Sequence, residues 1–137
     1  MRTRAFLVLL LLGLTCCLVA CIPSTRATIQ LGSGYASTEM DRIDSLLEKI
    51  GFSRSWFSTS NGERSARIER EGKLISAFAT ESPRGFGAGV VWSREGGNLV
   101  VEFAEYNTRF SESGKQRLQE LMAGLREIYG ERVTLID

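Results

Sequence analysis

The 137-residue chain contains no histidine. That excludes Ser-His-Asp and Cys-His catalytic sets, histidine metal ligands and a histidine proton switch. Cysteine is confined to Cys16, Cys17 and Cys21, so residues 22–137 carry no thiol. Disulfides, thiolate zinc sites, iron–sulfur clusters and cysteine nucleophiles are excluded there, and stability must come from packing. An excess of either charge is missing as well. The 17 Lys and Arg stand against 16 Asp and Glu, which leaves no electrostatic footprint for nucleic acid or anionic lipid. Repeats and low-complexity tracts are also absent, so no solenoid or internal linker is expected.

What is present begins at the N-terminus. Arg2 and Arg4 precede an apolar run over residues 5–14, and small residues follow further on. This is the layout of a secretory signal. Leu18-Val19-Ala20-Cys21 resembles the lipobox of bacterial lipoproteins, whereas Cys16 and Cys17 follow Thr15 and Cys16 where a small residue is required. The resemblance covers the first 21 residues. It implies that the type II signal peptidase removes residues 1–20, recognising Leu18, Val19 and Ala20, and that Cys21 carries diacylglycerol and an acylated amine. Two or three acyl chains, at ~0.8 kcal/mol per buried methylene, hold a domain on a membrane without a spanning helix. An uncleaved helix over 5–26 would be just long enough to span, but Pro23 and the box argue against it. Ile22, in place of Asp, is similar to the outer-membrane address of enteric bacteria, which implies a domain facing the periplasm. Processing would take two of the 17 basic side chains and none of the 16 acidic ones, leaving the mature chain near neutral.

The remainder is sized for one domain. Residues 21–34 read as the lipidated N-terminus and a tether, with 27–31 a candidate edge strand; 35–137 read as a single globular unit. Met40, Ile43, Leu47 and Ile50 recur at helical spacing, with Thr38 and Asp41 as a capping box and Gly51 as the stop. Alternating or β-branched segments at 52–57, 64–70, 74–80, 90–94 and 99–106 read as strands. Asn61-Gly62, Glu71-Gly72 and Gly96-Gly97 are spaced as two-residue hairpin turns. A second helix over Glu112–Tyr129 takes Ser111 as its cap and Gly130 as its end, and Val133–Ile136 closes the chain as a strand. This order predicts an α+β two-layer sandwich: a mostly antiparallel sheet of five to six strands with both helices on one face.

Tight turns fix registers. Gly96-Gly97 would place Trp92 opposite Val101 and Val90 opposite Phe103, giving a core face that includes Leu99. Glu71-Gly72 would pair Ile68 with Ile75 and Ala66 with Ala77, and Asn61-Gly62 would pair Phe57 with Ala66, extending that face. The second face then receives Phe52, Trp56, Leu74, Phe78, Val91, Val100 and Tyr106, unless a one-residue slip exchanges the two. Trp56, Phe78 and Tyr106, with Arg67 beside Trp56, are therefore the candidate binding surface for an envelope protein or an apolar ligand. The competing reading is that the tether, the 82–88 loop or a second copy covers them.

Other features carry less. The alternating glycines of 84–89 precede a strand, whereas phosphate loops lead into a helix, so they read as a bend or bulge. The mixed charges of 63–71 read as a solvated strand, with Arg54 facing Glu69. Glu102 and Glu105 fall on opposite faces and cannot flank one glycosidic bond. No catalytic set, metal site or cofactor motif stands out. The expectation is a lipid-anchored periplasmic accessory of the envelope that binds a protein partner and not nucleic acid. One alternative is a binder of a small apolar molecule or lipid in a cavity near Ala66, Ala77 and Trp92. Another is a carboxylate-based envelope hydrolase.

Overall fold

The computed structural model describes residues 23–31, 36–80, 85–93, 96–107 and 109–136. The signal segment 1–20, with Leu18, Val19 and Ala20, and the lipidation site Cys21 lie outside them. The elements in chain order are β1 Ser24–Gln30, α1 Ala36–Lys49, β2 Ser53–Arg54, β3 Phe57–Ser58, β4 Arg64–Ser65, β5 Ile68–Arg70, β6 Lys73–Ala79, β7 Phe86–Ser93, β8 Asn98–Glu105, α2 Glu112–Tyr129 and β9 Val133–Ile136.

Seven strands form the main sheet, in the order β2-β6-β7-β8-β1-β9, with β5 also on β6. Both β2 and β5 pair antiparallel with β6, at different stretches of it, so the sheet is six positions wide. Because every pairing is antiparallel, β1 and β2 run the same way, as do β8 and β9. Helices α1 and α2 are the two crossovers, and both land on one face, giving the expected two-layer α+β sandwich.

The N-terminal segment departs from the tether reading. β1 is neither tether nor edge: it lies between β8 and β9. Its alternation explains this, since Thr25, Ala27 and Ile29 are buried while Ser24, Arg26 and Gln30 are exposed.

The helices form for different local reasons. On α1, Met40, Ile43 and Leu47 are fully buried on one stripe. Its start at Ala36 places Thr38 inside the helix, so the Thr38–Asp41 box is not the cap. Its end does follow the glycine. Gly51 has φ +99°, its N–H donates to the Glu48 carbonyl at 3.1 Å, and the Phe52 N–H donates to the Leu47 carbonyl at 3.0 Å. That is a Schellman closure. Arg117 of α2 adds a cation there, donating to the Ile50 carbonyl at 3.0 Å.

The Ser111 side chain caps α2 by accepting the Gly114 N–H at 3.0 Å. In a capping box the residue at Gly114 would be Glu or Gln, reaching back to the cap's own N–H. Here buried Glu105, from the end of β8, accepts the Ser111 N–H at 2.8 Å. Glycine at 114 makes room, because a Cβ there would overlap the Glu105 carboxylate and press on Phe86. Between the layers Phe103 is central, with Phe52, Phe86 and Phe110 around it at 5.8–6.3 Å between ring centroids.

Two of the expected turns differ in length from a tight pair. Glu71 and Gly72 do form the two-residue turn, both at positive φ, and Ile68 pairs with Ile75. The β7–β8 connection is longer: Trp92 faces Leu99 and Val90 faces Val101. That offset is two residues, so Val90, Trp92, Leu99, Val101 and Phe103 still share the helix side. The β3–β4 turn runs from Thr59 to Glu63, which hydrogen-bond at 2.8 Å, and Phe57 pairs with Ser65 in place of Ala66. This hairpin forms a separate two-stranded sheet, which splits both of the strands expected at 52–57 and 64–70. The glycine run is not a bend before the strand, for β7 already begins at Phe86. Phe86, Ala88 and Val90 face the core while Gly87 and Gly89 face away.

Candidate functional site

The pairing of β6 with β7 fixes which face of the sheet is open. Leu74 lies opposite Trp92, Ser76 opposite Val90 and Phe78 opposite Ala88. Leu74, Ser76 and Phe78 therefore lie under the helices, and Ile75, Ala77 and Ala79 lie on the second face. This reverses the expected faces of β6. The residues expected around an apolar cavity separate as well: Trp92 is on the helix side, Ala77 is on the open side, and Ala66 lies between β4 and β5, outside both.

Among the described residues no helix or strand is stacked on the second face. Its surface can be read from the registers as rows across the strands. Nearest the start of β1 is a row of small residues, Ala79, Gly87, Ala104 and Ser24. The next holds Ala77, Gly89, Glu102 and Arg26, with Arg26 Nη2 3.5 Å from Glu102 Oε1. The third is apolar over four strands: Ile68, Ile75, Val91 and Val100, all half-buried. A hollow of about 350 Å³ lies over the small residues, beside Ser55 and Tyr106. Another of about 570 Å³ lies over Val91, Val100 and Ile136, bounded by Arg26, Lys73 and Glu102. Tyr106 stands over Gly87: a Cβ on that glycine would come 3.2 Å from the Tyr106 hydroxyl.

The four residues expected to make one binding surface are not together. Tyr106, 67% exposed, is on the open face as expected. Phe78 is 3% exposed, packed under the helix layer with the Arg54 guanidinium 5.5 Å from its ring centroid. Trp56 is 54% exposed beside the β3–β4 hairpin, and the arginine over its ring is Arg64, at 5.6 Å, not Arg67. Arg67 turns toward α1.

There it enters a charge cluster that periodicity did not reveal. Asp44 of α1 is fully buried and accepts from Arg67 Nη2 at 2.6 Å and from Ser76 Oγ at 2.9 Å. Arg54 Nη1 lies 3.4 Å from the same carboxylate, and Arg54 Nε donates to Glu48 at 3.1 Å, so the expected Arg54–Glu69 pairing is replaced. Arg67 also donates to Asp41 at 2.7 Å. Burial pulls the Arg67 pKa down, but the hydrogen bonds and charges of Asp41 and Asp44 outweigh it and hold the value above the ordinary one. Arg67 is cationic at any physiological pH. Chemically the cluster is an ion network of two arginines and three carboxylates that ties the segment between β4 and β5 to α1, with both oxygens of the buried Asp44 engaged. The readable signal was Asp44 itself, one residue after Ile43 on the buried stripe of α1.

Among the described residues no group of three or more Asp or Glu side chains converges as a metal site would. No helix among them is long and apolar enough to cross a membrane. No protein-family model matches the chain, and no curated protein is significantly similar to it.

Proposed function

We propose that this protein is a lipid-anchored, non-catalytic module of the bacterial envelope that faces the periplasm and binds a protein partner through the open face of its sheet. The observation that carries the reading is the apolar row Ile68–Ile75–Val91–Val100. A sheet with one solvated face ordinarily alternates apolar with polar residues, and isolated exposed apolar side chains are common. A contiguous row over four strands, flanked by Lys73, Arg26 and Glu102, is instead arranged as an interaction patch with a polar rim. The anchor supports the location: the lipobox resemblance at Leu18-Val19-Ala20-Cys21 supplies the membrane, and Ile22 the outer-membrane address. The chemistry agrees, because the chain lacks histidine and residues 22–137 lack thiols.

Photocrosslinking in intact envelopes tests this proposal. A crosslinking residue at position 75, 91 or 100 is expected to give one discrete protein adduct. The same residue at exposed helix positions 45 or 127 is expected to give none. Equal adducts from both sides, or none from the open face while the protein stays anchored and folded, would reject the docking surface.

A further inference from the structure

The chain joins its sheet at one pole. The Pro23 carbonyl accepts the Glu105 N–H at 3.2 Å, and Ser24 is registered against Ala104. Tyr106, the next residue after Glu105, is held by its own N–H donating to the Gly85 carbonyl at 2.6 Å. The start of β1 and the exposed Tyr106 ring therefore share one end of the domain. Cys21 precedes Pro23 by two residues, a span of at most ~7 Å even when extended.

We infer that the mature protein stands on a phospholipid bilayer on this pole, with Tyr106 at headgroup level and the strands directed away from the membrane. This rests on the reading of Cys21 as the acylated residue. So short a connection leaves the acyl chains no route to the bilayer that does not bring Pro23, Glu105 and Tyr106 down with them. A tyrosine ring suits that depth, since its body is apolar and its hydroxyl is wet. Among the described residues charge adds little: Arg109 is exposed there, but Lys115 is paired with Glu112 at 2.8 Å. The eight residues of β7 and β8, at 3.2–3.4 Å each, put the β7–β8 turn about 25 Å farther out. The open face then stands perpendicular to the membrane, where a partner in the periplasm can approach it from the side.

The test uses full-length protein processed in a bacterial host, purified with its lipid and reconstituted in phosphatidylethanolamine–phosphatidylglycerol vesicles. Once Cys21 is acylated, an introduced cysteine is the only free thiol. Tyr106→Cys, Ser113→Cys and Gly96→Cys are each labelled with an environment-sensitive fluorophore. Ser113 is a second reporter at the membrane pole, and Gly96 marks the far turn, where a Cβ meets nothing within 4 Å. Headgroup spin-labelled lipid is expected to quench the probes at 106 and 113 at least about twofold more than the probe at 96, in keeping with interfacial placement. Equal quenching at the two poles of vesicle-bound protein would overturn the orientation and leave the anchor intact. An intact mass without diacylglycerol, with no flotation on vesicles, would overturn the anchor and this inference with it. The chain from residue 22 onward, which has neither the signal nor any native cysteine, is the matching control.

Discussion

Replacing Asp44 by alanine tests the internal logic of the fold most directly. The carboxylate is fully buried and engages Arg67, Ser76 and Arg54 at 2.6, 2.9 and 3.4 Å. Removing it leaves two guanidinium groups facing a void and one serine hydroxyl without its acceptor. Breaking a buried pair by deleting one partner costs about 3–5 kcal/mol, chiefly from the stranded charge. Arg67→Ala is expected to cost less, about 1–3 kcal/mol, because Arg54 and Ser76 still face Asp44. Asp41→Ala removes a carboxylate whose side chain is 67% exposed, so its cost is expected to stay below about 1 kcal/mol. The content of the prediction is this ranking, since all three residues belong to one network.

Urea unfolding of the chain from residue 22 onward, read by far-UV circular dichroism, gives each value as a midpoint shift at constant slope. For a domain of ordinary stability, about 5–15 kcal/mol, the Asp44 loss would be a large fraction of the total. An Asp44/Arg67 double-mutant cycle is expected to show coupling on the order of 1–3 kcal/mol. If Asp44→Ala unfolded within 1 kcal/mol of the parent, or if Asp41→Ala cost as much, the buried network would not hold the 66–67 segment against α1 as argued.

Gly114→Ala is expected to destabilise by about 1–2 kcal/mol despite alanine's better helix propensity, because the new methyl meets the Glu105 carboxylate and Phe86. Gly124→Ala is expected to be near neutral in the same unfolding assay, since its nearest contacts are all to the half-buried Leu46 side chain, which can swing aside. The Tyr129 hydroxyl is held protonated above its ordinary range, by burial first and then by its hydrogen bond to Glu39 at 2.8 Å and the charge of that carboxylate. The unfolded tyrosine loses its proton near pH 10 and the folded one later, so this contribution is complete below pH 10 and fades as pH rises toward the folded value. Tyr129→Phe should flatten that alkaline loss in stability measured from pH 9 to 12, and an unchanged slope would remove the assignment. Deleting residues 22–31 takes away β1, exposes the Ile29 and Ala27 sites and leaves β9 without the strand it pairs with. A chain beginning at residue 32 is expected to be unfolded by circular dichroism, and a cooperative transition from it would contradict the central placement of β1.

The helices were legible because their signals are local. Ser111, Gly130 and Gly51 act within a turn or two of the backbone they close, and the Glu71-Gly72 turn required only two residues at positive φ. The β7–β8 register was misjudged, yet its faces were assigned correctly, because an error of two residues preserves parity. The N-terminal strand was legible only as a candidate edge at 27–31; its start at Ser24 and its place between β8 and β9 were not, for the opposite reason. Ser24 to Gln30 alternates well, but its partners Ala104 to Asn98 lie some seventy residues away, and a position beside an anchor is easily taken for a tether. The glycines at 87 and 89 conceal only the first half of β7, whose alternation, Phe86-Gly87-Ala88-Gly89-Val90, is visible once glycine is allowed as the outward residue.

The candidate surface failed at β6, where both faces looked equally plausible. One offered Ile75, Ala77 and Ala79; the other offered Leu74, Ser76 and Phe78. The tight-turn registers, which align Ile68, Ala66 and Phe57 with Ile75 and Ala77, favour burying the first. What decided the matter was an anomaly elsewhere: α1 places Asp44 on its buried stripe with Met40, Ile43 and Leu47. A buried carboxylate requires donors and a cation, and the serine at 76 and the arginines at 54 and 67 supply them. Each misplaced polar residue thus accounts for the other, and together they turn Phe78 inward and Ile75 outward. The open apolar row is a consequence of that polar core. Asp44→Ala therefore bears on the proposed interface as well as on stability, because releasing the cluster removes the reason for β6 to keep its present face.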